Sequence, residues 1–395
     1  MENKPFKRIS TAIKEKVGES VPVYIYLICI SLFIILYNST LSLNYDLGQY
    51  PSAVSVIRLL RRLIICILVF NSTVLIGEHS VKEFICYTLI AAVFVYNSHI
   101  TGDNNLLLSL IFVYCTRGIM YEEAAKAFLY TYIIITVAII TAHFTGILQD
   151  YWMPRNEILW KHSLGFDHPN SLGRVLYVIH TCFVIAYPKE CRKVWFYVFS
   201  LLMIVFSYLV PNCRAAVISI AVTVALVFVF DKWAWIREKS NYLACFVFIL
   251  CGSFSVINTV LYDPFSAVLQ FINVLSTGRF SAARQVLDTA GWGRLFGNNV
   301  YWLGIPIDNC YNKFFLCFGI ICFIIFAAGN FIAVHRSHRY RLFNVIACLI
   351  SFMIFGVFEM HMYYIMDNIT LLAITACMES GIFKEGEHGD QTHTF

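Results

Sequence analysis

The chain has 395 residues, of which 59% are hydrophobic and 13% charged, and it carries a formal net charge of +5. Apolar runs divided by short polar breaks exclude a soluble globule, which has no way to keep so much apolar surface from water. The composition is that of a polytopic, all-α membrane protein.

Residues 1–20 form a basic amphipathic leader in which Phe6, Ile9, Ile13 and Val17 share one helical face and Lys7, Lys14 and Lys16 lie on others, the pattern of a short helix on an anionic inner leaflet. No cleavable signal peptide is expected, because the apolar run that follows ends in Asn38-Ser39-Thr40 without a small-x-small pattern, so the first helix stays as an anchor. Runs over 21–38, 63–77, 84–97, 105–116, 127–147, 171–187, 194–210, 215–231, 242–261, 312–334, 342–358 and 362–379 each suit a spanning helix, about twelve in all. Residues 21–379 then make one transmembrane catalytic domain, interrupted by outer loops over 148–170 and 262–311. The polar tail, 380–395, is expected to be disordered.

Orientation follows from Lys4, Lys7, Arg8, Lys14 and Lys16, since short cytoplasmic segments retain positive charge. Threading from a cytosolic amino terminus puts both termini, 188–193 and 335–341 inside. Left on the outer side or in outer helix ends are Arg58, Arg61, Arg62, Arg155, Lys161, Arg174, Arg214, Arg279, Arg284, Arg294 and Lys313. Arginine grips phosphate and carboxylate with a planar fork, so this excess suits an anion. The 14 Cys sit almost wholly in apolar runs without CxxC, and the 11 His show no HExxH, so neither disulfide nor metal is expected. No glycine-rich phosphate loop is present, and no cofactor is expected.

The polar segments that reach the outer face carry the candidate chemistry. In Gly165-Phe166-Asp167-His168-Pro169-Asn170-Ser171-Leu172-Gly173-Arg174, Pro169 with Asn170 and Ser171 marks a helix start beside His168, either a plain cap or an amide-rich end facing an anion. Pro211-Asn212-Cys213-Arg214 is a tight turn whose arginine opposes the helix dipole unless an anion is near; snorkelling to lipid phosphate accounts for the charge equally well. Ser276-Thr277-Gly278-Arg279, then Arg284, Trp292, Arg294 and Trp302 read as a loop made turn-rich by Gly291, Gly293 and Gly297. Its Arg279 and Arg284, five apart, share a helix face poorly, and its arginines and aromatics suit either sugar and phosphate or the bilayer surface. Last come Asp308-Asn309-Cys310-Tyr311, where Asp308 either caps a helix or does chemistry, and Glu359-Met360-His361 with Asp367-Asn368.

The order GFDHPNSLGR, NCRAA, STGR with LFGNN, IDNCYNKFFLCFGI and FGVFEMHMYY with a later DN resembles the Wzy-type polymerases of capsular polysaccharide and exopolysaccharide, in the wider O-antigen polymerase and ligase superfamily. The resemblance covers roughly 20–380 and is clearest over 162–368. It implies a glycosyltransferase fold of the membrane-embedded C type in the bacterial cytoplasmic membrane. The site would face outside and polymerise undecaprenyl-pyrophosphate-linked oligosaccharide repeat units. It also implies that Arg214 and Arg279 bind the pyrophosphate; on the chemistry of the polar segments Arg284 joins them, and Asn170, Arg294, Asn309 and Tyr311 are further candidate substrate contacts. Cys213 stands where a Ser commonly precedes the family's arginine, and Asp308-Asn309 stand where ligases carry a His before the Asn, which favours polymerase over ligase.

The chemistry expected is metal-independent glycosyl transfer, with fixed guanidinium groups meeting the leaving pyrophosphate. His168 or Asp308, with Glu359 behind them, supplies the base. Partners would be the lipid-linked repeat unit, the growing glycan and the bilayer, with flippase and chain-length regulator proteins and no nucleic acid. A ligase with the same donor, or a flippase with charges along a central path, are the alternatives.

Overall fold

The structure is a computed structural model that describes residues 20–41, 50–154 and 160–378, with Leu43 and a few separate leader residues. Arg155, the tail 380–395 and the leader face of Phe6, Ile9, Ile13 and Val17 lie outside the described residues. Of the leader, Ser10 is buried and donates to the carbonyls of Leu75 and Ile76 at 2.7 and 2.9 Å.

The described chain is mostly helical, with one two-stranded antiparallel hairpin. In order come α1 (Val21–Leu41), α2 (Pro51–Phe70), α3 (Val81–Thr101), α4 (Asn105–Cys115), α5 (Tyr121–Phe144), strands β1 (Trp152–Pro154) and β2 (Trp160–His162), α6 (Pro169–Ala186), α7 (Val194–Leu209) and α8 (Arg214–Lys232). After a short turn of helix follow α9 (Ser240–Val260), α10 (Ala267–Leu275), α11 (Arg279–Ala290), α12 (Ile320–Arg339) and α13 (Phe343–Phe358). Six helices, α1, α3, α5, α8, α9 and α12, are long and apolar enough to cross a membrane. The apolar α4, α7 and α13 are shorter, and α2 carries Arg58, Arg61 and Arg62. The chain is thus compatible with an all-α membrane protein.

Local signals set the helix ends. At α3, Ser80 Oγ accepts the amide of Glu83 at 3.2 Å while Glu83 Oε2 accepts that of Ser80 at 2.9 Å, a reciprocal cap. Bulky helices meet where one residue is small: a Cβ on Gly173 of α6 would sit 2.3 Å from Cys213 Cβ, so this glycine lets the Pro211–Cys213 turn rest on the first turns of α6.

Two stretches differ from the sequence expectation. The segment 262–311 contains α10 and α11 where a loop was expected. Ser266 caps α10, and Gly278, at φ 82°, turns the chain into α11. The glycine-rich stretch after α11 then lies against 314–319: Gly293 N donates to Phe315 O at 2.7 Å, Asn298 N to Cys317 O at 2.6 Å, and Asn97 Nδ2 of α3 to Phe296 O and Phe318 O. A Cβ on Gly319 would lie 2.1 Å from Arg294 O, so only glycine permits that contact.

Over 362–379, expected as a spanning helix, the described residues, which end at 378, instead follow 3-10 turns at Met360–Tyr363 and Ile369–Ile374 joined by irregular backbone. They run from the end of α13 to the amino-terminal end of α5, where Tyr121 N donates to Cys377 O at 2.9 Å. Irregular backbone is tolerated inside a membrane domain when neighbours satisfy its polar groups. Ser109 Oγ donates to Tyr363 O at 2.7 Å, Tyr132 OH to Met366 O at 2.6 Å and Arg336 Nη2 to Ala376 O at 2.8 Å. Apolarity predicted a spanning helix here; the partners of its carbonyls hold it in another path.

Candidate functional site

At the end of the bundle where α6 begins and α13 ends, an open cavity of about 380 Å³ is lined by Asp167, His168, Asn170, Ser171 and Arg174 from the start of α6, by Asp308, by Glu359, Met360, His361 and Tyr364 after α13, and by Tyr37 of α1. The β1–β2 hairpin precedes α6 in the chain. Asp150 Oδ1 accepts the amides of Ser163 and Leu164, both at 2.9 Å, and Oδ2 lies 2.6 Å from His162 Nδ1, which fixes the chain just before Gly165.

His168 is the N-cap of α6, and its Nδ1 accepts the amide of Asn170 at 3.0 Å. In the neutral imidazole that leaves the hydrogen on Nε2, so the ring offers the cavity a donor. Burial, reinforced by Lys161, holds its proton affinity below the usual histidine range against the pull of Asp167 and Asp308. The neutral form is therefore favoured near pH 7.

Glu359 follows α13 and is buried. Its Oε1 accepts Arg279 Nη2 at 3.0 Å and Asn170 Nδ2 at 3.5 Å, joining three elements at one oxygen. Arg279 sits at the first position of α11 and also donates through Nη1 to Ser276 O at 2.8 Å and to Thr277 Oγ1, while its Nε has no hydrogen-bond partner. Burial pushes the Glu359 carboxyl above the usual carboxylate range, opposed by Arg279 and His361.

Arg174 lies one helical turn past Asn170, on the same face of α6. Its Nε is 3.3 Å from Asp367 Oδ1 and its Nη1 is 3.2 and 3.1 Å from the two ring nitrogens of His361, whose Nδ1 is also 2.9 Å from Asp367 Oδ2. Beneath Met360, Lys313 is buried 3.5 Å from Asp103 Oδ2 and 3.3 Å from Met360 Sδ, among the rings of Tyr301, Phe318 and Tyr363.

No protein-family model, curated protein or solved structure matches the chain.

Of the residues singled out by sequence, the structure brings His168, Asn170, Asp308 and Glu359 to the cavity, with Arg279 directly behind Glu359. Arg214 is exposed at the start of α8 and Arg294 is exposed in the stretch after α11; neither lines the cavity, and neither has an ion-pair partner among the described residues. Arg284, 2.9 Å from Asp288, donates through Nη1 to the Val260 carbonyl at the end of α9, so α11 carries Arg279 and Arg284 to different places, as a five-residue spacing predicts. Asn309, not Asp308, caps the next helical turn: its Oδ1 accepts Asn312 N at 2.9 Å while Nδ2 donates to Ser255 Oγ at 2.9 Å and Val357 O at 2.8 Å. Tyr311 is fully buried with its hydroxyl on Met353 O at 2.9 Å.

Arg174, His361 and Asp367, which stand in the candidate segments without an assigned role, complete the arrangement. Each was legible as an ionisable residue at the edge of an apolar run, which is a reason to suspect function. Among the described residues, no group of three or more His, Cys, Asp or Glu side chains is placed to hold a metal ion.

Proposed function

We propose that the chain is a glycosyltransferase that polymerises undecaprenyl-pyrophosphate-linked oligosaccharide repeat units at the outer leaflet of a bacterial cytoplasmic membrane. In this reading about twelve crossings, the last an irregular one, leave both termini in the cytosol. The observation that carries it is the convergence of remote segments, those of Asp167–Arg174, Asp308 and Glu359–Tyr364, on one polar cavity at one end of an apolar bundle, with Arg279 paired to Glu359 and Asp367 to Arg174. Motifs whose order resembles the polymerase family thus meet in space, where a reaction between two amphiphiles needs them.

In the reaction, the acceptor sugar hydroxyl attacks the anomeric carbon of the donor glycan, the bond from that carbon to the pyrophosphate oxygen breaks, and its electron pair leaves on the pyrophosphate. Glu359 takes the hydroxyl proton. Its raised proton affinity makes it a better base than an ordinary carboxylate, whereas His168 has already committed its acceptor nitrogen to the α6 cap. Arg279, held beside Glu359, and the exposed Arg214 meet the charge that develops on the leaving group.

The test is polymer formation by purified protein given lipid-linked repeat units, resolved by length on a gel. A ladder formed in excess chelator supports the arginine mechanism. Activity that vanishes with chelator and returns with magnesium assigns Asp167, Asp308 or Glu359 to a metal instead, and no polymer under either condition refutes the enzyme reading. Thiols engineered at positions 190 and 338 should stay unlabelled from outside intact cells; labelling there overturns the orientation.

A further inference from the structure

We infer that the cavity holds a sugar ring of the glycan by its hydroxyl groups, and that the pyrophosphate lies outside it. The inference rests on the glycosyltransferase reading and assigns its main cavity to one part of the substrate.

Charge decides against an anion. The arginine that lines the cavity, Arg174, is already paired with Asp367 at 3.3 Å, and Arg279 lies behind Glu359 at 3.0 Å. Asp167 and Asp308 line the cavity with no hydrogen bond or ion pair among the described residues, so its uncommitted charge is negative. A pyrophosphate placed there would face like charge, which costs several kcal/mol across an interface unless a cation neutralises it.

The same groups suit hydroxyls. An ionised carboxylate accepts only, and its two oxygens can take neighbouring hydroxyls of one ring as a pair. Asp167 and Asp308 supply such acceptors, His168 supplies an Nε2 donor, and Tyr37 and Tyr364 supply aromatic walls for the apolar face of a ring. A volume of about 380 Å³ is at the small end of ligand pockets, suited to a sugar unit rather than a whole repeat with its lipid. Glu359 on the same wall is placed to meet a hydroxyl held there.

The test measures binding directly. Saturation-transfer NMR on the purified full chain in detergent is run with glucose, galactose, rhamnose and N-acetylglucosamine as probes, with inorganic pyrophosphate and magnesium as competitors. The wild type should transfer saturation to at least one sugar. Asp308→Asn and Asp167→Asn should each weaken that sugar about tenfold, with elution volume and thermal midpoint unchanged, since neither carboxylate makes an internal bond. No transfer to any sugar, equal transfer in a double Asp167→Asn, Asp308→Asn variant, or displacement of the sugar by pyrophosphate or magnesium would each overturn the inference. Sugar binding that behaves as expected in a protein that makes no polymer would refute the enzyme reading and leave the sugar site standing. Polymer made by the double variant with the wild-type dependence on acceptor would do the reverse.

Discussion

Replacing Arg279 with Met isolates the electrostatics of the site. The Arg279 and Glu359 side chains are 11% and 10% exposed, so the exchange leaves a carboxylate in a buried place with only Asn170 Nδ2 at 3.5 Å beside it. Breaking a buried pair from one side costs about 3–5 kcal/mol. Protonation of Glu359 caps that cost, because each pH unit between ambient pH and its folded proton affinity is worth about 1.4 kcal/mol. Burial has already raised that affinity in the wild type, and Arg279 is the main influence opposing the rise. A carboxyl raised in this way keeps its proton in the folded chain after the unfolded chain has released it. Stability therefore falls as pH rises from the unfolded value of about 4.3 to the folded one, and removing Arg279 extends that window upward. Arg279→Met should accordingly lose more stability than the wild type as pH rises above the unfolded carboxylate range, and adding Glu359→Gln should restore the midpoint and remove the extra slope. Thermal midpoints of the purified protein in detergent give the comparison, read as shifts because a chain of this size and kind need not unfold in two states. Equal slopes for wild type and Arg279→Met, with no recovery in the double variant, would refute the account of the pair.

Other substitutions separate fold from chemistry. Arg279→Lys keeps the charge but loses the planar fork, so polymer yield should fall sharply at normal membrane level, while Arg284→Ala should lose only an exposed i,i+4 pair and a helix-end bond, about 1 kcal/mol, with polymer near wild type; equal yields from the two would remove Arg279 from the mechanism. His168→Ala should cost about 1 kcal/mol through the lost cap, whereas His168→Asn should keep the cap and still depress turnover because the ring donor is gone; full turnover in His168→Asn would reduce His168 to a cap. Asn309→Ala breaks three buried bonds at about 1 kcal/mol each, so the protein level should drop while activity per molecule stays unchanged; normal level with lost activity would return Asn309 to the substrate.

Membrane class was legible because apolarity is a property of the covalent chain, and a run such as 21–38 or 242–261 finds few other homes than a helix in lipid. The helix starts at Pro169 and Arg214 were legible for a similar reason, since proline chemistry and the end of an apolar run act locally. Both departures in the fold came from non-local partners: the 3-10 path of Met360–Ile374 depends on Ser109, Tyr132 and Arg336 to satisfy its carbonyls, and the seat of the Gly293–Gly297 stretch depends on Asn97 and on 314–319. The site divides in the same way. Sequence alone identified which ionisable residues stand beside the ends of apolar runs, and hence named His168, Asp308 and Glu359, while Arg279 was named from the Ser276–Arg279 segment of the long polar break. Which of them meet is a matter of contacts between residues far apart in the chain, Arg279 with Glu359 and Arg174 with Asp367, and a charge reads the same in sequence whether a carboxylate neutralises it or not. That pairing, decided only by packing, leaves Asp167 and Asp308 as the unpaired charges, among the described residues, that line the cavity.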